Sequence, residues 1–458
     1  MRRRPPQGGR GRNADRARSS RLPESVGTLT IDRIAAGGDG VGRLEGLAVF
    51  VPRTAAGDVL QAAYVTHARH ARGRVLQVLT PSADRRTPPC VHYERDRCGG
   101  CQLQHLTMEA QRDARRHIVQ DTLSRIGKRD IPLPALMAGV AWEYRSRLTL
   151  TLLRRSTGWV GGLHPHDDPV RVFALEECHI AHPMLVSVWH VVRALIRNTD
   201  VRLPAVDTLR LAIRLDSGPD DESVADHDGA GASPLTVALV VEGGAEWGDR
   251  EAWTAAVRKA DARISGVWWT PDRGDARGGG LPGEAAVVDY APQARDALAF
   301  SQVNRVVATA LREYVYAAVQ GFAPATVIDA YAGTGPLAAR LFGDGVSVVA
   351  IESDRAGADA ANARLQRRSG DATAWARVVC DLVERALPAL SRATVPADVV
   401  VLNPPRRGVH ADVTRWLEAD SQRDLRGVVY VSCDPATLAR DLARLPSWRV
   451  SAVQCFDM

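Results

Sequence analysis

The chain has 458 residues, 45% hydrophobic and 24% charged, with 59 Lys and Arg against 53 Asp and Glu. That length and balance fit roughly two to four globular domains and exclude a wholly disordered chain. No apolar run reaches membrane-spanning length and no apolar stretch follows the basic start, which excludes a secretory signal and makes a cytoplasmic protein the expectation. The net charge of +6 fits a polyanionic partner.

Residues 1–24 are rich in Pro, Gly and Arg, with Arg2, Arg3, Arg4, Arg10, Arg12, Arg16, Arg18 and Arg21 set against Asp15. Such a stretch reads as a disordered tail, either solubilising or lying along phosphates. Residues 25–81 alternate apolar positions with glycine turns and predict a small β-barrel. Residues 82–298 form a central, β-rich part. It opens on Cys90-x7-Cys98-x2-Cys101, continues through a helical stretch near 107–126, and carries strand-like runs such as RLTLTLL and LTVALVVE. An acidic, Gly-rich insert at 216–234 lacks apolar periodicity and reads as a disordered surface loop.

In a long chain of this class, cysteines point to metal or catalysis before disulfides. Gly99 and Gly100 allow a tight chelating turn between Cys98 and Cys101, and Cys178 can supply a fourth thiolate. Four thiolates suit zinc or an iron–sulfur cluster, and spacing does not choose between them. His92 and His105 lie nearby but read as structural, because four cysteines already complete the set. Cys380 and Cys455 fall within strand-like runs and read as buried structural thiols.

From residue 299 to 458, the runs ATVIDA, VSVVAIE, ADVVVLN and GVVYVS alternate with helical patterns, predicting a doubly wound α/β sheet. VIDAYAGTGPLAARLF is a strand, turn and helix in which Gly333 and Gly335 allow close approach of a ligand. Glu352 ends the next strand, where an acid can accept both ribose hydroxyls. Asp381 ends the third, placed either to meet an adenine or to cap a helix. The turn is neither G-x-G-x-x-G nor a phosphate loop, which favours a ligand with adenosine and no phosphates, such as S-adenosylmethionine. LNPPRRG after the fourth run makes a stiff loop in which Asn403 can offer an amide to a planar base or to the cofactor. Cys433 follows the fifth run, with Asp434 as N-cap and Pro435 opening the helix. A helix N-terminus favours thiolate, and the Asp434 carboxylate opposes it. A thiolate beside a methyl donor points to methylation at carbon 5 of a pyrimidine: addition at carbon 6 makes carbon 5 nucleophilic, and a base then removes its proton. The target base has to leave any helix for this.

These segments resemble the uracil-5 RNA methyltransferase family: FSQVN (300–304), DAYAGTG (329–335), NPPRRG (403–408) and SCDPATLARDL (432–442) match its motifs in order. The resemblance implies a class I methyltransferase sheet, contacts to cofactor or target base from Gln302, Tyr331, Glu352 and Asn403, and Cys433 as nucleophile. Many members carry Asp in place of Asn403 and most carry Asn in place of Asp434. Residues 25–81 look like the family's TRAM barrel, and VHYERDRCGGCQLQH looks like its [4Fe–4S]-binding segment, which implies Cys90, Cys98, Cys101 and Cys178 as cluster ligands. This architecture favours 23S rRNA over tRNA as substrate, and the protein is expected to act as a monomer. In the family a strand carrying a glutamate base follows FDM (456–458), so the chain reads as an incomplete record or as an enzyme stalled after methyl transfer. On that reading, 448–456 lack a strand partner. The competing readings are a cytidine-5 methyltransferase and an RNA-binding protein without turnover.

Overall fold

The computed structural model describes residues 24–156, 158–197, 202–216, 235–272, 302–368, 373–392, 397–419 and 424–458, and the backbone of 286–290. Almost all of the basic tail, the acidic insert beyond Asp216, and the first two residues of FSQVN lie outside these. The chain divides into two compact units, one of residues up to 89 with 101–114, the other of 90–100 with 115–458.

In the first unit, β1 (Ser25–Ile34), β2 (Gly40–Leu44), β3 (Leu47–Val51), β4 (Val59–Thr66) and β5 (Ala71–Thr80) close into a barrel of order β1-β2-β3-β5-β4. Alternate residues point inward, so Leu29, Ile31, Val49, Val51, Leu60, Ala62 and Ala71 fill the interior. A register shift between Ile31 and Arg33 bends β1 at the corner that closure requires. The loop below is tied by Asp58, whose carboxylate is wholly buried. Its oxygens accept from Ala55 N at 2.6 Å, Ser82 N at 2.9 Å, and Arg85 Nε and Nη2 at 2.8 and 2.7 Å. Burial pushes the Asp58 pKa up, but the Arg85 bonds and the two amides outweigh it and hold it below the ordinary value. His105 bonds Thr54 O through Nε2 at 3.0 Å, and burial lowers its pKa; it is structural, as its sequence context indicates.

In the second unit come α1 (Val91–Glu94), α2 (Met108–Arg125, whose first turns belong to the barrel unit) and β6 (Ala135–Ala138). Next are β7 (Arg147–Arg155), β8 (Gly158–Leu163), β9 (Phe173–Ala174), α3 (Pro183–Ile196), β10 (Thr208–Asp216), β11 (Thr236–Glu242), α4 (Arg250–Ala260), β12 (Ile264–Thr270) and β13 (Ala286–Tyr290). These strands form a sheet of order β13-β12-β11-β10-β7-β8-β9, antiparallel except between β11 and β12. Leu185, Val188, Trp189, Val192 and Ile196 make one apolar face on α3, which packs into the sheet's core with Leu150, Leu211 and Leu239.

The remaining elements are α5 (Arg305–Gln320), β14 (Thr326–Ala330), α6 (Pro336–Gly343), β15 (Ser347–Glu352), α7 (Arg355–Gln366), β16 (Ala376–Cys380), α8 (Val383–Arg392), β17 (Val399–Leu402), α9 (Ala411–Glu418), β18 (Gly427–Tyr430), α10 (Pro435–Ala443) and β19 (Gln454–Asp457). Strands β16-β15-β14-β17-β18 form a wholly parallel sheet with a core on each face, the doubly wound arrangement. Its strands are buried on both sides, which is why they read as unbroken apolar runs. Two expectations are corrected here. Residues 454–457 are not left without a partner: β19 pairs in parallel with β6, from Gln454↔Ala135 to Asp457↔Ala138. Cys380 is exposed, because it is the last residue of an edge strand, whereas Cys455 in β19 is half-buried.

The Asp58 knot gives a signed expectation. A carboxylate with a lowered native pKa contributes stability above its unfolded value, and that contribution is lost as pH falls through the native one. The barrel should therefore loosen below about pH 4. Asp58→Ala should cost about 3–5 kcal/mol at neutral pH by removing the carboxylate that Arg85, Ala55 N and Ser82 N share. Methyl NMR signals of Val49 and Leu60 report both.

Candidate active site at the carboxyl edge of the parallel sheet

Parallel strands deliver all their carboxyl ends to one edge, and ligands of such sheets bind where the strand order reverses. Here that point lies between β14 and β17, which pair as Ala330↔Leu402 at their ends. β14 is followed by Tyr331 at φ +63° and then by Gly333 and Gly335 at φ +58° and +71°. A tyrosine in the left-handed region costs about 1–3 kcal/mol, a strain that concentrates at functional sites. Gly335 caps α6, and a Cβ there would sit 2.8 Å from Ala361 Cβ; a Cβ on Gly333 would meet nothing within 4 Å. The one glycine thus closes the turn onto α7 while the other leaves open space beside it.

Glu352, the last residue of β15, faces that space. Its Oε2 accepts from Gly333 N at 2.8 Å and its Oε1 from Asp354 N at 2.8 Å, so the carboxylate is fixed in place with lone pairs remaining for a ligand. Asp329, beneath it in β14, is driven up to about 7 by burial, against an N–H bond from Ala338 and with the Glu352 charge adding to the rise. Glu352 pairs with Cys380, so Asp381 emerges beside it. The Asp381 Oδ1 accepts from Leu382 N at 2.7 Å and pairs with Arg385 at 2.8 Å, at the entry to α8.

On the other side of the reversal, Asn403 is exposed and its backbone N donates to Ala330 O at 3.3 Å, which sets the 403–409 loop over the end of β14. Cys433 is exposed, in the loop between β18, which ends at Tyr430, and α10. Asp434 is the N-cap of α10, accepting from Ala436 N at 2.7 Å and Thr437 N at 3.1 Å, with Pro435 in the first turn. The Tyr331 phenol is pushed up, first by burial and then by Glu384 and Asp441, against Arg407; Tyr331 packs against the same apolar cluster as Val409 and Tyr430. Gln302 is half-buried and held from the central sheet's side: its carbonyl and that of Val303 accept from Ser146 Oγ at 3.4 and 3.2 Å.

Cys90 and Cys98 are buried and Cys178 half-buried; Cys101 is half-buried in the barrel unit. Cys98 Sγ accepts from Gly100 N at 3.4 Å. Burial raises the Cys90 thiol, opposed by amides of His92 and Tyr93 and reinforced by Cys178 and Glu177. Burial also raises Cys178, opposed by the Ala181 and Ile180 amides and by Arg145. The Arg145 Nε is buried without an acceptor. Two residues that the sequence reading passed over join Cys90: ligand atoms of Glu177 and His179 lie within 4.8 Å of its sulfur and of each other. Their signal was in LEECHI, on either side of Cys178. His92 is the staple between the two segments: Nδ1 donates to Asp96 at 2.6 Å, and Nε2 accepts from Glu176 N at 3.0 Å and Glu177 N at 3.4 Å.

No protein-family model matches the chain. A 23S rRNA (uracil(1939)-C(5))-methyltransferase of Halomonas elongata is 31% identical, over 93% of this chain and 83% of that one. An uncharacterized RNA methyltransferase from Halalkalibacterium halodurans is 29% identical over 94% of this chain and 93% of its own length. Among solved structures, the Pyrococcus abyssi tRNA (uracil-54, C5)-methyltransferase with S-adenosyl-L-homocysteine aligns at a TM-score of 0.63 and 19% identity, covering 94% of this chain and 95% of that one. That likeness shows the shared fold.

The turn makes its own prediction. Gly335→Val combines a left-handed backbone with a clash against Ala361, and should destabilise the second unit by about 2–4 kcal/mol. Thermal unfolding followed by tryptophan fluorescence reads it; an unchanged melting temperature would show that the turn has slack.

Proposed function

Because this chain belongs to the RNA uracil-C5 methyltransferase family, we propose that it methylates carbon 5 of a uridine in 23S rRNA, with Cys433 as the nucleophile. The observation that carries the reading is that Glu352 with the open Gly333 turn, Asn403 and the exposed Cys433 all leave the same edge of one sheet. The β14 and β18 ends are two strand spacings apart, roughly 10 Å, about the span of a nucleobase beside a methyl donor. No described helix is long and apolar enough to cross a membrane.

S-adenosylmethionine fits the β14–β15 turn: the space above Gly333 is free, the fixed Glu352 carboxylate can accept from ribose hydroxyls, and no phosphate-binding loop is present among the described residues. When bound it would supply an electrophilic methyl group and leave as S-adenosylhomocysteine. The Cys433 thiolate adds to carbon 6 of the flipped uracil, so that electron density moves to carbon 5, which takes the methyl group. The carbon-5 proton leaves to a base, and the electron pair of that bond expels the thiolate and restores the ring. Asn403 is placed to hold the edge of the base, and Asp434 to fix the loop that carries the thiol. The relative at 31% identity acts on 23S rRNA, and that likeness supports the choice of substrate.

We further propose that Cys90, Cys98, Cys101 and Cys178 hold a [4Fe–4S] cluster. Backbone N–H groups turned toward the sulfurs of Cys90, Cys98 and Cys178 favour thiolates, and the unmatched Arg145 Nε beside Cys178 suits an anionic group. The Cys90–Glu177–His179 trio favours a second reading, a single zinc ion.

RNA carrying 5-fluorouridine in place of uridine should become covalently attached to the protein, because fluorine cannot leave as a proton does, and Cys433→Ala should form no adduct while still binding S-adenosylhomocysteine. An adduct that survives Cys433→Ala removes the assignment. Anaerobically purified protein should be brown, with about four irons per chain; one stoichiometric zinc and no iron supports the second reading instead.

A further inference from the structure

Asp441 lies in α10 with no exposed surface, embedded beside Val409, Tyr430 and Leu445 of the apolar core. Burying a carboxylate costs several kcal/mol, and an apolar residue would fill such a place as well or better for stability alone. What an apolar residue lacks is direction. The Asp441 Oδ2 accepts from Val409 N at 3.0 Å and from Tyr430 Oη at 2.9 Å. Its Oδ1 accepts from Arg440 Nε at 3.0 Å and Nη2 at 2.8 Å, and from Arg444 Nη1 at 3.4 Å. The same Arg440 Nη2 donates to Arg407 O at 2.8 Å.

These partners come from two other pieces of the site and from the helix itself. Arg407 and Val409 flank Gly408 at the end of the loop that begins with Asn403. Tyr430 ends β18, immediately before the segment that carries Cys433, and Asp441 itself sits on the helix that Cys433 precedes. The contact has no slack: Gly408 is at φ +74°, and a Cβ on it would lie 2.4 Å from Asp441 Oδ2 and 2.5 Å from Arg440 Nη2. Loop and helix therefore touch backbone to carboxylate.

We propose that Asp441 is a positioning residue for methyl transfer, locking the Asn403 loop to the Cys433 loop so that the thiol and the held base keep one fixed separation. Two further facts agree with a shared node. The Tyr430 phenol is raised by burial and then by Asp441, so it remains a donor to that carboxylate. Tyr331, in the turn after β14, packs against the same apolar cluster as Val409 and Tyr430. Asp441 itself touches no solvent and so does not act on the substrate.

The functional part of this inference rests on the uridine reading, and the test separates the two. Displacing reacting groups by about 1 Å costs on the order of 100-fold in rate. Asp441→Asn keeps the shape and loses the charge that holds Arg440 and Arg444. It should slow adduct formation with 5-fluorouridine-substituted 23S rRNA by about 10- to 100-fold, while calorimetry finds S-adenosylhomocysteine affinity within about 3-fold. Tyr430→Phe, which removes one bond and folds more safely, should slow the adduct less, with the same unchanged affinity. A wild-type adduct rate in both variants overturns the proposal. So does a loss of S-adenosylhomocysteine affinity in step with the rate, which marks a merely structural residue. Should the wild-type protein form no adduct, the uridine reading falls. Positioning is then judged by iodoacetamide alkylation of Cys433, where a rate in Asp441→Asn equal to that of the wild type overturns it.

Discussion

A sheet whose strands all run one way sends every chain exit to the same edge, and the site depends on that constraint. The residues that end or follow the five strands are Tyr331, Glu352, Asp381, Asn403 and Cys433, drawn from more than a hundred positions of sequence. Each is set by a local rule: a left-handed turn at Tyr331 and Gly333, a carboxylate held by two amides at Glu352, an N-cap at Asp434. Those rules fix each group on its own strand end. The shared edge then makes them a site.

Buried carboxylates supply the directional ties that apolar packing lacks. Asp58 gathers two amides and one guanidinium beneath the barrel, and Asp441 gathers an amide, a phenol and two guanidinium groups beside α10. In both, nearly every acceptor site is used, which is the condition under which a buried charge is tolerated. Asp329 is the contrast: its burial is answered by one amide, with Glu352 adding repulsion, and its pKa rises accordingly.

The segment 143–146 joins the cysteine-bearing part of the second unit to the part that carries Gln302. On one side Glu143 N donates to His179 O and Arg145 N to Ile180 O, each at 2.8 Å; on the other Ser146 N donates to Val303 O at 2.8 Å. The side chain of Arg145 acts on Cys178 while its backbone bridges to Asn304. A short extended stretch thus holds the surroundings of Cys178 and the approach to α5 in one ladder of hydrogen bonds.

Local chemistry made much of this legible. Alternating apolar residues between glycines gave a barrel, unbroken apolar runs gave buried parallel strands, and Asp-Pro after Cys433 gave a capped helix, because each pattern acts within a few residues. The position of Glu352 at a strand end followed from the same patterns, whereas β18 stops at Tyr430 and leaves Cys433 in the loop beyond it. Other features depended on distant segments. Cys380 looked buried from its apolar run, but an edge position leaves its end in solvent. Residues 454–457 found a partner in β6, more than three hundred positions earlier. Glu177 and His179 came to Cys90 through bonds from His92, Val91 and Arg95 that tie the two segments together. Asp441 drew no notice in its helix, since a carboxylate on a helix is by default a solvated one. The amino-acid sequence determined by itself which segments are strands, turns and capped helices, because those are set by neighbours along the chain. Tertiary structure alone decided which carboxylates are buried and what they hold, because burial and hydrogen-bond partners are supplied by segments far away in sequence.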